Sequence, residues 1–384
     1  MSTELISRPI NLVIAKIAQR CNLNCSYCYV YNRGDTSWQS RPKIMSDATA
    51  RLLGERILEN ASAHNSPQVH VELHGGEPLL LGKRRFESLV TSMWAGARGA
   101  DLTVFLQTNG TLLDREWIDL FRKLNISFGI SLDGPAAIHD QYRLTFRNSG
   151  SHDRVMRAIK LAQESSYFEE LFSGYLCVVD PTSDPNSIID WFQRLNARTV
   201  DLLLPDRTLL DRVGVDGDVR LFLLSAFKKY VKDYNGRTRI RIFDRAIEAT
   251  FARRDPLDAF GGSLRNMCVI ESDGEIYPHD VLRITGYGRT KRKIYLEKYP
   301  IGIVADYFGV EALEDPAPEC TGCKHFLSCG GGYLPHRFDG SSFRNPSFHC
   351  AALFGLFETA DEFVREQLSG SEQRVNAAAA NEAT

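Results

Sequence analysis

The chain has 384 residues, 43% hydrophobic and 24% charged, with a formal net charge of −2. That length suits one large α/β domain with a smaller companion and can bury a sizeable core. The balanced charge offers no basic field for nucleic acid or an anionic membrane, and no apolar run reaches the roughly eighteen residues of a spanning helix.

The N-terminus, "MSTELISRPINLV", lacks a signal peptide's basic start and apolar core, so a cytoplasmic location is expected. The first predicted strand, "LVIAKIA" (12–18), runs into "QRCNLNCSYCYVY", which sets Cys21, Cys25 and Cys28 in one loop with Tyr27 among them. An amphipathic helix follows in "SDATARLLGERILEN" (46–60), with Ser46 as N-cap and Leu52, Leu53, Ile57 and Leu58 on roughly one face. Further strands are predicted at "VHVELHG" (69–75), "LTVFLQT" (102–108), "ISFGISL" (126–132), "GYLCVVD" (174–180) and "VDLLLPD" (200–206). Helical patterns lie between them near 83–97, 113–123, 152–166 and 186–195. This alternation implies parallel βαβ units, and six of them predict an α/β fold with a partial (β/α)6 barrel over 1–207. Its lateral opening would suit a large substrate such as a peptide.

The rhythm breaks in a bridging segment, 208–265, which holds a charged helical stretch (218–236) and the Arg-rich "RTRIRIFDR". That run could meet an acidic leader peptide or simply form a solvated face. Residues 266–368 are rich in Gly, Pro and Cys and read as a small metal-stapled module, closed by an amphipathic helix near 350–368. The tail, 369–384, is expected to be disordered.

Nine cysteines in a reducing compartment point to metal or catalysis rather than disulfides. Three close thiols without a fourth suggest a site with one open position, whereas structural zinc closes with four ligands. A 4Fe–4S cluster on Cys21, Cys25 and Cys28 would leave one iron free. The second set is Cys320, Cys323, Cys329 and Cys350, with gaps of two, five and twenty residues. Four thiolates close a site, as a zinc ribbon or as a cluster. Cys177 and Cys268 read as buried apolar thiols.

The C-x3-C-x2-C loop resembles that of the radical S-adenosylmethionine (SAM) superfamily. "HGGEP" (74–78), "QTNG" (107–110) and "SLDGPAAIHDQYR" (131–143) follow in that family's order at strand ends. The resemblance implies that the open iron chelates SAM and that Gly75, Gly76 and Glu77 bind its amino group. It also implies that Ser131 and Arg143 contact SAM and that Tyr27 lies near the adenine. A guanidinium suits the SAM carboxylate. The second set resembles the SPASM extension of peptide-modifying members, which implies one auxiliary 4Fe–4S cluster. A full SPASM module has two. Here the cysteine expected after "DGEIYP" is His279, and the one expected after the glycines that follow Cys329 is Tyr333. The second auxiliary cluster is therefore not expected.

"CSYCYVYNRGDTSW", "LHGGEPLL", "ESDGEIYPHDVL" and "CGGGYLPHR…FRNPSFHC" further resemble FxsB-type maturases. That resemblance implies a carbon–carbon crosslink, a cyclophane, between an aromatic ring carbon and a nearby β-carbon in a precursor peptide bearing a leader. It implies an electron donor such as flavodoxin or ferredoxin, and a base. Asp280 is the first candidate, because related sulfatase-maturing enzymes carry their catalytic aspartate after that ligand position; Asp206 is the second. His279 could be the base or fill the vacated space. Asp280 could also be a plain turn carboxylate. Competing readings are formylglycine-type oxidation, thioether formation or epimerisation, and a non-enzymatic zinc module.

Overall fold

The computed structural model describes residues 5–66, 68–211, 218–234, 236–252, 258–288 and 292–382. Its first strand, β1 (Leu12–Ala18), is buried at every position but the first. A strand covered on both faces belongs in the middle of a parallel sheet, and that is where β1 lies. The sequence expectation for β1, β2 (Val69–Gly75) and β3 (Leu102–Thr108) holds to the residue. β4 is Ile126–Ser131, β5 starts two residues early at Phe172–Val178, and β6 is Thr199–Leu203. β1 to β6 are parallel neighbours in order, each return running through helices. The fold is thus the expected open (β/α)6 arrangement.

Those returns include α1 (Asp47–His64), α2 (Lys83–Gly96), α3 (Arg115–Lys123), α4 (Ala136–Tyr142) and α5 (His152–Gln163). Ser46 caps α1 as expected, its side chain accepting from the Thr49 amide at 3.0 Å. Leu53 and Ile57 enter the core, while Leu52 and Leu58 stay half-buried.

Beyond β6 the structure departs from the sequence reading. β7 (Arg239–Ile240) pairs parallel with β6 at one edge. At the other, β8 (Met267–Ile270) pairs parallel with β1, followed by β9 (Glu275–Tyr277) and β10 (Ile294–Tyr295), both antiparallel. All ten form one sheet, ordered β10-β9-β8-β1-β2-β3-β4-β5-β6-β7. The Cys-rich region therefore begins as an extension of the barrel sheet, not as a separately stapled module. The Arg-rich run is spent on ion pairs: Arg239 with Asp244 at 2.8 Å, Arg241 with Asp201 at 3.0 Å and Arg245 with Glu248 at 2.6 Å. That favours its structural reading over a leader site.

The last helix runs from Cys350 to Glu382, well past residue 368 and through most of the stretch expected to be disordered. Alanine is the strongest helix former, and "NAAAANE" supplies four in a row. The last two residues of that stretch lie outside the described residues. Among the described residues, no helix is long and apolar enough to cross a membrane.

Candidate active site

The loop after β1 is held by main-chain bonds. The Asn24 amide donates to Leu144 O at 2.7 Å, Ser26 to Tyr142 O at 3.1 Å, Cys28 to Cys25 O at 3.0 Å and Asn32 to Cys28 O at 2.9 Å. This presents Cys21, Cys25 and Cys28 as half-buried free thiols at the carboxyl ends of the strands. Burial, then the Glu77 charge, pushes the Cys21 thiol up to about 12. Burial also pushes Cys25 up to about 11, against the pull of Arg143, and raises Cys28. Metal uptake here must release protons. Among the described residues, the His, Cys, Asp and Glu ligand atoms that converge within 4.8 Å in threes are those of His325, Glu358 and Asp361. One tetrahedral zinc, with Zn–S of about 2.3 Å, would draw three thiolates to about 3.8 Å. Three thiols without a fourth ligand in the loop suit a cluster with one open iron better than a closed structural zinc site.

β2 ends over this loop. The Gly76 amide donates to Ala18 O at 2.8 Å and the Glu77 amide to Arg20 O at 2.9 Å. A Cβ on Gly76 would lie 2.2 Å from both Arg20 O and the Tyr31 hydroxyl. The glycine is required by the approach of the chain to itself. The Glu77 carboxylate accepts from the Leu79 amide at 3.0 Å, Thr108 Oγ1 at 2.7 Å and the Asn109 amide at 2.8 Å. Burial raises its pKa, and those three bonds oppose the rise. Glu77 therefore clamps the turn after β3, which brings Asn109 Nδ2 to 3.7 Å from Cys21 Sγ.

Arg143 Nε donates to Asp133 Oδ2 at 2.9 Å, and the Tyr27 hydroxyl donates to the same oxygen. The guanidinium lies 5.7 Å from the centre of the Tyr27 ring. Ser131 accepts from Gln107 Nε2 at 2.9 Å. Asp133, which joins Tyr27 to Arg143, was not singled out in the sequence; its signal was "SLDGP", where it reads as a turn residue. Tyr31 was also missed. Its hydroxyl and Trp38 Nε1 are buried without a hydrogen-bond partner among the described residues, and their rings meet edge to face at 4.9 Å. Orphaned buried donors beside a thiol loop and a glycine turn fit a bound cofactor.

Asp280 is buried against β1. Lys16 Nζ donates to it at 2.7 Å, and the Tyr29 hydroxyl donates to the same oxygen. Lys16 also meets His74 Nδ1 at 2.9 Å. Burial would raise the Asp280 pKa, but the Lys16 charge and its hydrogen bond hold the carboxylate well below its ordinary range. Burial, then Lys16, lowers His74 to about 3, so its ring is neutral. Asp280 is thus no surface turn carboxylate.

The two positions expected to have lost cluster ligands meet in space. Tyr333 Oη lies 3.3 Å from His279 Nε2, and both residues are buried. The His336 ring packs edge-on to Tyr333 at 4.9 Å, and its Nε2 lies 3.7 Å from Asp206 Oδ1. The two candidate bases therefore flank one His–Tyr–His group, with Asp280 Oδ1 3.7 Å from His279 Nδ1. His279, Tyr333 and His336 pack against one another at these positions.

Cys320, Cys323, Cys329 and Cys350 line a single cavity of about 110 Å³, walled also by His325, Phe326, Pro346 and Phe354. Burial raises the Cys320 and Cys350 thiols and pushes Cys329 up to about 12. Four thiols around one cavity fit a fully ligated cluster. Cys177 and Cys268 are buried in β5 and β8, as expected.

Residues 16–195 match the model of the radical SAM superfamily. Over 348 residues the chain is 28% identical to a cysteine-type anaerobic sulfatase-maturating enzyme of Clostridium perfringens, covering 84% of this chain and 88% of that protein. It is 23% identical over 402 aligned positions to a serine-type enzyme of Bacteroides thetaiotaomicron, covering 96% and 94%. A solved structure, native anSMEcpe with bound AdoMet, superposes with a TM-score of 0.79 at 25% identity, covering 93% of this chain and 98% of that one. These likenesses overturn the cyclophane expectation. They span nearly the full length of enzymes that mature sulfatases, whereas the FxsB-type resemblance rested on short phrases around shared turns and cysteines.

Proposed function

We propose that this chain, whose residues 16–195 match the radical SAM superfamily, oxidises a cysteine or serine side chain of a sulfatase to formylglycine. The observation that carries this reading is the likeness to sulfatase-maturating enzymes over more than four-fifths of the chain. A buried carboxylate at the position expected for the base supports it.

With SAM bound, a 4Fe–4S cluster on Cys21, Cys25 and Cys28 would supply a 5′-deoxyadenosyl radical, and one on Cys320, Cys323, Cys329 and Cys350 an electron acceptor. Tyr27, Asp133 and Arg143 would hold bound SAM from one side of the site, the Arg143 guanidinium being suited to its carboxylate. Gly75 and Gly76 bring the β2 turn against the thiol loop, and Glu77 fixes that turn to the next. After the neighbouring carbon has lost its hydrogen, Asp280 would receive the proton of the substrate thiol or hydroxyl as the carbon radical gives up one electron. Serine then gives the aldehyde directly, and cysteine a thioaldehyde that water converts to the aldehyde with release of hydrogen sulfide. The Lys16 ion pair makes Asp280 a weak base, suited only to a proton that becomes acidic as the substrate carbon is oxidised. The outside source of the first electron is a carrier of the flavodoxin or ferredoxin kind.

The reading is tested with anaerobically reconstituted protein, SAM, a reductant and a peptide spanning the modified cysteine or serine of a sulfatase. Formylglycine and 5′-deoxyadenosine should form in equal amounts. 5′-Deoxyadenosine without any change in either peptide would sink the proposal. The reconstituted protein should hold roughly eight irons per chain, two four-iron clusters. About twelve would show that the His279–Tyr333 corner still admits a third.

A further inference from the structure

We infer that the hairpin at residues 144–150 and the first turns of α5 form the docking surface for an acidic one-electron carrier that reduces the Cys21–Cys25–Cys28 site. The inference rests on the radical SAM reading above. An electron must enter this site from outside, and the carrier must come close to the thiol loop to deliver it. The hairpin is stitched directly to that loop: Leu23 bridges to Thr145, the Asn24 amide donates to Leu144 O at 2.7 Å, and Leu144 bridges to Gly150. At its tip stands Phe146, 67% exposed, the most exposed large apolar side chain among the described residues. Neither fold nor site uses that ring.

One cation stands next to it in the hairpin, and two more lie on the helix that follows. Arg147 is exposed beside Phe146, and α5 begins just after the hairpin with Arg154 and Arg157, also exposed. These two arginines and Thr111 line a polar hollow of about 170 Å³. Across it, Thr111 Oγ1 accepts from Asn22 Nδ2 at 2.8 Å, and Asn22 adjoins Cys21. Residues 144–160 carry Arg147, Arg154, Arg157 and Lys160 against Asp153 alone, in a chain whose net charge is −2. Arg143 is not part of this surface, because it is buried against Asp133. An exposed aromatic anchor on a hairpin that leads into a cationic helix start suits brief association with an acidic protein. The ring supplies the contact, and the charges speed the encounter. Redox partners use small interfaces of this kind.

The test uses the reconstituted enzyme and pre-reduced flavodoxin as the probe, with stopped-flow bleaching of the cluster as the readout. Arg147→Glu/Arg154→Glu/Arg157→Glu and, separately, Phe146→Ala are compared with the parent. At low salt the charge reversal should slow reduction by flavodoxin by about tenfold or more. The parent's rate should fall steeply with salt, and the variant's should not. Reduction by photoreduced 5-deazariboflavin, which needs no docking, should be unchanged in both variants. Phe146→Ala should weaken the carrier reaction at all salt concentrations. An unaltered flavodoxin rate overturns the inference. So does an equal loss with 5-deazariboflavin, which would put these residues in the integrity of the site. Loss of sulfatase-peptide binding with normal flavodoxin reduction would assign the surface to substrate instead. A parent enzyme that no reductant drives to cleave SAM would overturn the radical SAM reading, and this surface with it.

Discussion

Replacing Cys21, Cys25 and Cys28 together by alanine should abolish reductive cleavage of SAM in a chain that remains folded. The loop owes its shape mainly to main-chain bonds from Asn24, Ser26 and Asn32, with a smaller share from weak bonds to sulfur such as the Leu23 amide to Cys21 Sγ at 3.4 Å. The core beneath it is built by β1 residues such as Val13, Ala15 and Ile17, which the substitutions do not touch. The variant should keep about half the iron, because the Cys320–Cys323–Cys329–Cys350 set is intact. Iron assay, circular dichroism and chromatography of 5′-deoxyadenosine check the three parts. Continued release of 5′-deoxyadenosine under reducing conditions would mean that the catalytic loop has been misassigned.

The second large effect is expected at Asp280. Asp280→Asn keeps the shape of the side chain and an oxygen for Lys16 or Tyr29, but it cannot take up a proton as a carboxylate does. SAM cleavage should continue while formylglycine falls by about 10²–10⁴-fold, the usual cost of a lost general base. Product per 5′-deoxyadenosine is therefore the quantity to measure. Asp280→Ala is a poorer probe. It strands the Lys16 ammonium, whose side chain is only 2% exposed, and breaking a buried pair costs about 3–5 kcal/mol. Asp206→Asn serves as the comparison. Its carboxylate is 24% exposed and faces His336 rather than Lys16, so a small effect is expected. A near-normal product ratio in Asp280→Asn, or a larger loss in Asp206→Asn, would move the role of base away from Asp280.

The six barrel strands could be read because each is five to seven residues long and carries a β-branched or alternating pattern. β7 and β10 have two residues each and β9 three, too few for any period to show. The cysteine loop and its glycine turn were readable as motifs, since both are local. Lys16 was not: it sits in an otherwise apolar strand, and its partner Asp280 is 264 residues away. Nor could the sequence show that Glu77 faces inward, because that depends on Thr108 at the end of the next strand and Asn109 in the turn after it. The sharper activity expected from the FxsB-type phrases failed for a related reason. Those phrases lie in turns and cysteine spacings that hold cofactors, and the reaction is decided by what surrounds the substrate.

The pairing of β8 with β1 runs over four consecutive residues, from Leu12 with Met267 to Ala15 with Ile270. The same backbone ladder thus carries the thiol loop on one strand and leads, through β9, to the carboxylate on its neighbour. Peptide hydrogen bonds across these strands set the span between the thiol loop and Asp280, whatever the length of the bridging segment between them in sequence. Extra residues inserted in that bridge would leave the span as it is. A break in the ladder, by proline at Val269 for example, would change it even with every functional side chain in place.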